Sequence, residues 1–359
     1  CIAAAALGWR VALVSTLSDP EVAGLLGLDR ATDFTGAEAE HPDLIAAVVT
    51  DPASAVPPNL TKGLVAGVRA SHWVGKANRL SPDHVDWAEI AAVEDATVKP
   101  HTASLPLRDL AASSNPAQRP IRDIPRSAAI IRQRRSAVDM DARTGLSLDA
   151  FFGMLARTLP DRLHPPWTAL DFPPRIHLCL FVHRIDGLSP GLYVLVRDEA
   201  RLDAFRTACH DRFTWGHVES SGMPLYALAL GDCQEAAAHA SCFQEIAGDS
   251  AFSLGMIADF ARTLEEDGAW AYRRLFWETG LIGQVLYLEA EAAGVRSTGM
   301  GCYFDDVVHQ LFGIDLSDDA WQSLYHFTVG GAVDDDRLTT LPAYGHLPPE
   351  RTSLGRSGI

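Results

Sequence analysis

A stretch close to the C-terminus repeats the beginning of the chain at a constant offset of 286 residues, without a gap. Between residues 1–29 and 287–315 nine positions are identical, where composition alone gives roughly two or three. In the first stretch the identical residues are Ala4, Ala6, Gly8, Arg10, Asp19, Val22, Leu25, Gly27 and Asp29. Self-similarity at a fixed offset is the signature of a duplicated structural unit. The sequence therefore predicts two copies of one unit, with the same helix–turn–helix path over 1–29 and 287–315.

The two copies differ where the second carries Gly-Met-Gly at 299–301, because the first has Leu-Val-Ser at 13–15. The first copy also begins at Cys1 within an alanine-rich run, so we expect its N-terminal part to be missing. The expected organisation is a C-terminal remnant of a degenerate first copy over 1–50, a linker or arm over 51–121, a complete second copy over 122–345 and a flexible tail over 346–359.

Charge and hydropathy exclude several classes of partner. The 359 residues include 30 Lys and Arg against 46 Asp and Glu, and the net charge of −16 disfavours nucleic acid and anionic membranes. No apolar run approaches the roughly 20 residues that a membrane span needs. The six cysteines show neither CxxC nor metal-ligand spacing, which predicts reduced thiols in a cytoplasmic protein without a metal site.

Hydrophobic periodicity predicts a mixture of helices and antiparallel strands. In the second copy we predict helices at 127–136, 146–159 with Ser147 as N-cap, 235–247, 253–265 and 270–293. Strands are expected at 175–183, 192–197, 225–230 and 327–331, and "GLSPGLY" is a hairpin turn between the first two. A short helix from Ser81 to Ile90 is expected in the arm. The fold class is α+β, with helices around a largely antiparallel sheet.

A cluster of basic residues follows the first of these helices. Arg132, Arg134 and Arg135 precede Ser136, and adjacent guanidinium groups next to a hydroxyl suit a phosphate. Solvated charges that complement a helix C-terminus give the same pattern. The cluster is therefore a candidate phosphate site with a purely structural alternative.

The segment "STGMG", residues 297–301, follows the longest helix. Gly299 and Gly301 on either side of Met300 would let the backbone approach a flat ligand and point an N–H group at it, although an ordinary turn has the same composition. The segment is not a dinucleotide fingerprint, because it lacks a third glycine and follows a helix.

Weaker candidates carry the same ambiguity. Arg337 is either a second phosphate ligand or the partner of one of three adjacent aspartates. Cys302 is either a thiol near a redox centre or a small buried hydrophobe. Gly280 and Gly283 in the long helix either permit a close backbone approach or are simply tolerated. Since no catalytic triad, metal cluster or carboxylate pair can be assembled, enzymatic chemistry here would need an organic cofactor.

Three segments taken in order, "IIRQRRS", "GLIGQVLYLEAEAAGVRSTGMGCYFDDVVHQLFGID" and "LYHFTVGG", resemble the nitroreductase superfamily. In detail they are similar to its SagB-type, thiazoline-oxidase-like dehydrogenase branch, which includes tandem-domain members. The resemblance covers about 125–345, and 1–50 as the end of a degenerate copy. It implies a nitroreductase-like FMN-binding fold with a four- or five-stranded, mostly antiparallel sheet. FMN would lie at an interface in a homodimer or an intramolecular pseudo-dimer.

The resemblance also implies roles for individual residues. Arg134, Arg135 and Ser136 match the Arg-x-Ser segment that holds the flavin phosphate. The family's turn after the central helix, whose backbone N–H faces flavin N5, is matched by Gly299, Met300 and Gly301. Arg337 matches a basic residue late in the family's sequence that contacts the flavin phosphate. Two departures stand out: Val138 replaces a second basic residue, and "HPPWTALDFPP" at 164–174 replaces a Pro-Ser-x-Gly stretch.

The function implied is that of an FMN-dependent oxidoreductase that transfers a hydride through flavin N5, with no catalytic side chain. The electron donor would be NAD(P)H or the substrate itself. The substrate would be a small molecule such as a nitroaromatic or a quinone, or an azoline ring in a modified peptide. The alternative is a flavin-free, degenerate nitroreductase-like protein that serves as a binding partner or scaffold.

Overall fold

The computed structural model describes residues 1–51, 60, 62–83, 85, 87–103, 127–161, 164–317 and 319–348. Residues 52–59 and 104–121 of the predicted arm, 122–126 at the start of the predicted second copy and 349–359 of the predicted tail lie outside these residues. In chain order the helices are α1 Ile2–Ala6, α2 Asp19–Leu26, α3 Lys62–Arg69, α4 Ala88–Ala96, α5 Ser127–Gln133, α6 Leu148–Thr158, α7 Leu202–Ala208, α8 Gln234–Ala240, α9 Glu245–Gly248, α10 Phe260–Asp267, α11 Tyr272–Ala292 and α12 Asp305–Phe312.

The strands are β1 Arg10–Leu13, β2 Ala46–Val49, β3 Ile176–Val182, β4 Gly191–Leu195, β5 Gly216–His217, β6 Leu225–Leu230, β7 Phe252–Asp259, β8 Arg296–Met300 and β9 Trp321–Gly330. Within the described residues β3 to β9 form one sheet in the order β5-β6-β4-β3-β7-β9-β8, with antiparallel neighbours throughout. The α+β class and the antiparallel sheet are confirmed, although the sheet has seven strands where four or five were predicted.

The centre of the sheet contains an element whose type the sequence predicts wrongly. Residues 253–265 were expected to be helical, but β7 occupies Phe252–Asp259 and α10 follows it. Every residue of β7 is buried, as in β3 beside it. A strand buried on both faces is a continuous apolar run, which periodicity cannot distinguish from a buried helix.

Other predicted elements are confirmed with shifted bounds. The Ser147 side chain accepts a hydrogen bond from the Ala150 N–H and caps α6, and α11 fills nearly the whole of 270–293. The helix predicted at 235–247 is broken between α8 and α9, where Cys242 and Phe243 have positive φ. Among the described residues of the arm there are two helices: α3, which the sequence analysis missed, and α4, which shares only residues 88–90 with the helix expected from Ser81 to Ile90.

The described residues fall into two compact units. The first unit comprises the described residues of Cys1–Ser113, Asp161–Pro174 and Phe260–Leu275, and contains the antiparallel pair β1–β2. Its small core is formed by Leu17, Val22 and Val65. The second unit contains the seven-stranded sheet, and in its core Phe205 packs edge-on against Trp321 at a centroid distance of 4.7 Å.

The elements of residues 1–29 and 287–315 coincide at the repeat offset. α1 and α11 end at Ala6 and Ala292, 286 positions apart, and β1 and β8 begin at Arg10 and Arg296. The helices that follow, α2 and α12, end at glycines in the left-handed region, Gly27 with φ +74° and Gly313 with φ +78°. Both glycines have a conformation that side chains with a Cβ adopt rarely. The path is helix–strand–helix, not the helix–turn–helix that the sequence suggests.

Hydropathy along the helices bears on membrane insertion. In the part of the chain that the structure describes, no helix combines the length and the apolar character that a membrane crossing requires.

Candidate functional site

The basic cluster after α5 lies against the edge of the large sheet. The helical hydrogen-bond pattern ends as Arg134 N donates to Ile130 O at 3.0 Å. The chain then pairs in parallel with β8, where Ser136 faces Ser297 and Ala137 N donates to Ser297 O at 3.0 Å. Two candidate segments about 160 residues apart in sequence are therefore neighbours in the fold.

Because β8 is the last strand of the sheet, one of its edges faces away from β9. The Ser297 carbonyl accepts from Ala137 on this edge, and the Gly299 N–H donates to Tyr287 Oη there. Ser297 and Gly299 are alternate residues of β8, so their backbone groups point to the same side of the strand, and Gly301 follows the end of β8. The edge of β8 that faces away from β9 therefore carries the Ser297 carbonyl and the Gly299 N–H in a row that begins beside Ser136.

Tyr287 of α11 joins these two parts of the site. Its hydroxyl lies 2.8 Å from Ser136 Oγ and accepts from Gly299 N at 3.0 Å. The Arg134 guanidinium lies over its ring, 4.7 Å from the centroid, which is a cation–π arrangement. The sequence analysis missed Tyr287. The signal that could have found it is the helical spacing of 280, 283 and 287, which aligns the tyrosine with both glycines of α11.

The Gly-Met-Gly segment is not the turn that the sequence predicts, because Gly299 and Met300 belong to β8. The Met300 side chain is buried in the core, which leaves only its backbone available to a ligand. A Cβ on Gly299 would fall 2.1 Å from Tyr325 Oη, whereas one on Gly301 would meet nothing within 4 Å. Gly299 is therefore covered by tyrosines and Gly301 is open.

The remaining predicted phosphate ligands have other partners. Arg135 donates to the carbonyl oxygens of Arg134, at 2.8 Å, and of Arg132 and Leu341. Arg337 makes a two-point hydrogen bond to the Asp335 carboxylate, at 2.7 and 2.8 Å, with 88% of its side chain exposed. That contact raises the pKa of Arg337 and lowers that of Asp335. The alternative anticipated for Arg337, a surface ion pair, is the arrangement found.

Whether these residues suit FMN can be tested on one buried atom. Ser297 is 1% exposed, and its Oγ has no hydrogen-bond partner among the described residues. A buried hydroxyl without a partner is costly, and a phosphate oxygen would satisfy it. Ser297 pairs with Ser136, whose hydroxyl contacts the same Tyr287 that the Arg134 guanidinium covers. The phosphate end of FMN therefore fits this end of β8.

The flavin ring fits beside Gly301 but not beside Gly299. Ser136 Oγ and Gly299 N lie within 2.8 and 3.0 Å of one tyrosine oxygen, so they are less than about 6 Å apart, too close for a whole ribityl chain. From Ser297 to Met300 the strand advances roughly 10 Å at about 3.3 Å per residue, and Gly301 comes directly after it. Residues around Gly301 therefore suit the ring, and Gly299 suits the chain between ring and phosphate.

A small cavity of about 250 Å³ opens beside Tyr287. Aromatic rings dominate its lining, and the two glycines of α11 form part of its wall. The residues around it are Phe276, Thr279, Gly280, Gly283, Gln284, Tyr287, Tyr325 and Phe327. The cavity can hold a small planar group, with the Gln284 amide as the polar contact.

Two further sequence features have defined places. Cys302 is exposed, so the buried-hydrophobe interpretation is wrong. Residues 164–174, which replace the Pro-Ser-x-Gly stretch, belong to the first unit.

Comparison with known proteins gives one family match and several similar solved structures. The model of the Nitroreductase family matches residues 189–331. A protein of Anabaena variabilis described as a candidate nitroreductase has a similar fold, with a TM-score of 0.60 and 17% identity. The similarity covers 92% of this chain and 62% of that one. This chain thus spans less than two thirds of the Anabaena variabilis protein, and no curated protein sequence matches it.

Two further solved structures are more distantly similar. A candidate nitroreductase of Ralstonia eutropha has a TM-score of 0.42 and 14% identity, over 60% of this chain and 88% of that one. The E. coli microcin synthetase McbBCD complex with truncated pro-MccB17 bound has a TM-score of 0.42 and 18% identity, over 70% of this chain and 95% of that one. The chain is therefore similar to the Nitroreductase family over residues 189–331 and has the nitroreductase-like α+β fold.

Proposed function

We propose that residues 122–345 form an FMN-dependent oxidoreductase of the nitroreductase type. The observation that carries the proposal is the convergence of Arg134 and Ser136 on the edge of β8, next to a buried serine hydroxyl without a partner. Two segments that the sequence analysis assigned to one site, from distant parts of the chain, are neighbours in space.

The phosphate would be held by Arg134 together with the Ser136 and Ser297 hydroxyls. A guanidinium and hydroxyl donors form strong, charge-assisted bonds to phosphate oxygens. When bound, FMN supplies hydride transfer, which explains why the site needs no side-chain nucleophile. Gly301 would let the ring approach the backbone closely, because the space that a Cβ would fill there is open.

The substrate in this proposal is a small planar molecule. The aromatic cavity beside Tyr287 is below the usual volume range of drug-sized sites, which favours a single ring or a quinone over a larger ligand. The finer assignment, a SagB-type dehydrogenase that oxidises azoline rings in a modified peptide, belongs to the same proposal. So does NAD(P)H as the electron donor.

The duplication is also part of the proposal. The coincident elements of 1–29 and 287–315 support a shared origin from a nitroreductase-like unit. The first copy has Leu13, Val14 and Ser15 where the second has its two glycines, so we propose that only the second copy binds flavin. The mass of the particle in solution distinguishes two arrangements. A homodimer would have twice the mass of one chain, whereas a pseudo-dimer of the two copies would have the mass of a single chain.

Purified full-length protein tests the proposal directly. We expect a yellow protein with flavin absorption bands, or a colourless one that becomes yellow with added FMN, and denaturation should release FMN. Reduction by NADH or NADPH, followed by reoxidation with a quinone or a nitroaromatic compound, would then support catalysis. A protein that neither contains nor takes up FMN would contradict the proposal.

A second candidate, a flavin-free binding or scaffold protein, is favoured by the two tyrosines. Tyr287 Oη already forms hydrogen bonds with Ser136 Oγ and Gly299 N. Tyr325 Oη lies in the space that a Cβ on Gly299 would need. Val138, at the position of the missing basic residue, is 58% exposed and adds no cation. The same reconstitution separates the candidates, since a scaffold protein stays colourless at saturating FMN.

A further inference from the structure

Two free cysteines meet at the surface of the second unit. Cys242 follows α8 and Cys302 follows β8, 60 positions later, yet the Cys302 thiol donates a hydrogen bond to Cys242 Sγ at 2.7 Å. Cys302 is exposed and Cys242 is half-buried. The sequence gives no hint of this pair, because neither cysteine belongs to a CxxC motif.

Hydrogen bonds hold the two segments together on both sides of the sulfur atoms. Phe304 N donates to Ala240 O at 2.8 Å. The Gln244 amide donates to Cys302 O at 3.0 Å and to Ser241 O at 2.8 Å, and so ties the loop of one cysteine to the backbone of the other. The thiols are therefore brought together by a frame that does not depend on a bond between them.

The backbone at Cys242 is unusual. Cys242 has φ +57° and Phe243 has φ +58°, two consecutive non-glycine residues in the left-handed region. Each such residue is disfavoured, and local strain of this kind concentrates at functional sites. Here the conformation ends α8 and turns Cys242 toward Cys302.

We propose that Cys242 and Cys302 are a redox-active dithiol that a low-molecular-weight disulfide oxidises to a reversible intramolecular disulfide. In the first step the Cys302 thiolate attacks one sulfur of the disulfide, forms a mixed disulfide and releases one thiol. Cys242 then attacks Cys302 Sγ, forms the protein disulfide and releases the second thiol. Two protein thiols are oxidised and one small disulfide is reduced to two thiols.

Exposure and pKa support this order of attack. Cys302 is the accessible sulfur, whereas the neighbouring Cys302 raises the pKa of Cys242 to about 11. Cys242 is therefore protonated at neutral pH and suits the second, intramolecular step, where proximity compensates for its low thiolate fraction.

The other cysteines of this unit are poor competitors. Cys179, Cys209 and Cys233 are buried, and burial raises the pKa of each, to about 12 for the last two. Cys1 is exposed, so it provides a control thiol in the same chain. It should take up a small thiol without forming an internal cross-link.

The experiment incubates the purified full-length protein with glutathione disulfide, with and without later dithiothreitol, and maps the peptides by mass spectrometry. We expect a peptide pair linked through Cys242 and Cys302, which dithiothreitol removes. Cys1 should carry only a glutathione adduct. If no linked pair forms while Cys1 is modified, the proposal is wrong.

Two variants in a Cys1→Ser background test the roles. Cys242→Ser should trap glutathione on Cys302 as a stable mixed disulfide, and Cys302→Ser should leave Cys242 largely unmodified. Equal adduct yields in the two variants would contradict the order of attack. Neither measurement involves FMN, so the outcome is independent of the proposed function.

Discussion

The hydroxyl of Tyr287 accepts a hydrogen bond from the backbone N–H of Gly299 at 3.0 Å and connects the strand edge to Ser136. A helix residue thereby stands between the two groups proposed to contact the phosphate and the adjoining chain of one cofactor. The same oxygen fills a position that a bound ligand would compete for. The arrangement therefore gives predictions for the protein without any ligand as well as for its complex.

Replacing Tyr287 with Phe tests the first of these. The substitution keeps the ring, which packs edge-on against Phe327 at 4.9 Å, and removes only the hydroxyl. Gly299 N and Ser136 Oγ lose a partner, so the free energy of unfolding should fall by about 0.5–1.5 kcal/mol. Urea unfolding of ligand-free protein measures the change. The exposed Tyr344→Phe is the control, and an equal effect in both variants would contradict the role of the hydroxyl.

The two glycines at the end of β8 should respond oppositely to alanine. In Gly299→Ala the new Cβ meets Tyr325 Oη, and displacing that ring should destabilise the protein by about 1–3 kcal/mol. Gly301→Ala places its Cβ in open space, so stability should stay within about 0.5 kcal/mol of the parent. Thermal unfolding of both variants decides this. A larger loss for Gly301→Ala than for Gly299→Ala would mean that the strand edge is arranged differently.

Amphipathic or capped elements of the fold were predictable from sequence. Ser147 identified the start of α6, and the apolar run of β3 identified a strand. The failures have one physical origin, which is that long-range contacts override local signals. The sequence of β7 reads as a helix because both of its faces are buried, and the helix over 235–247 breaks where Cys242 turns toward a residue 60 positions away.

The candidate site was predictable only in part, for a related reason. Residue type and order identified Arg134 and Ser136, but a sequence does not reveal which neighbours satisfy a group. Tyr287 was missed because a tyrosine in a long helix is usually only a core residue. Arg337 was overvalued, because Asp335 two positions earlier engages its guanidinium.

A buried ion pair between Arg197 and Glu278 of α11 should contribute strongly to the free energy of unfolding of the second unit. Arg197 and Glu278 form a salt bridge with both side chains almost fully buried, and Glu278 also accepts from Arg175 N at 2.8 Å. Arg197→Met leaves a buried carboxylate without its cation, so the free energy of unfolding should fall by about 3–5 kcal/mol. The double variant Arg197→Met, Glu278→Leu should recover part of this loss. A double variant with fully additive losses would contradict a coupled pair.

Acid should destabilise the second unit through its buried histidines. Burial lowers the pKa of His326 to about 3, and burial together with Arg197 and Arg201 lowers that of His177 to about 3. Both rings are neutral in the folded protein and bind a proton in the unfolded chain below about pH 6.5. Stability is therefore fully present above that pH and falls by about 1.4 kcal/mol per pH unit for each histidine between about pH 6.5 and 3.

The measurement is urea unfolding between pH 5 and 7. In His326→Phe the slope of stability against pH should be smaller than in the parent, whereas the exposed His346→Gln should leave it unchanged. An unchanged slope in His326→Phe would show that this ring does not contribute to acid destabilisation.

The central claim, that Arg134 and the edge of β8 bind FMN, is tested most directly by titrating FMN into the parent protein and two arginine variants. Arg134→Ala should weaken FMN affinity by roughly 1.5–3 kcal/mol, which is about ten- to over a hundred-fold, because a charged hydrogen bond to the phosphate is lost. Arg132→Ala removes a charge from the same segment at an exposed position and should change affinity little. Fluorescence quenching of FMN gives all three dissociation constants. Parental affinity in Arg134→Ala, or an equal loss in Arg132→Ala, would contradict the site.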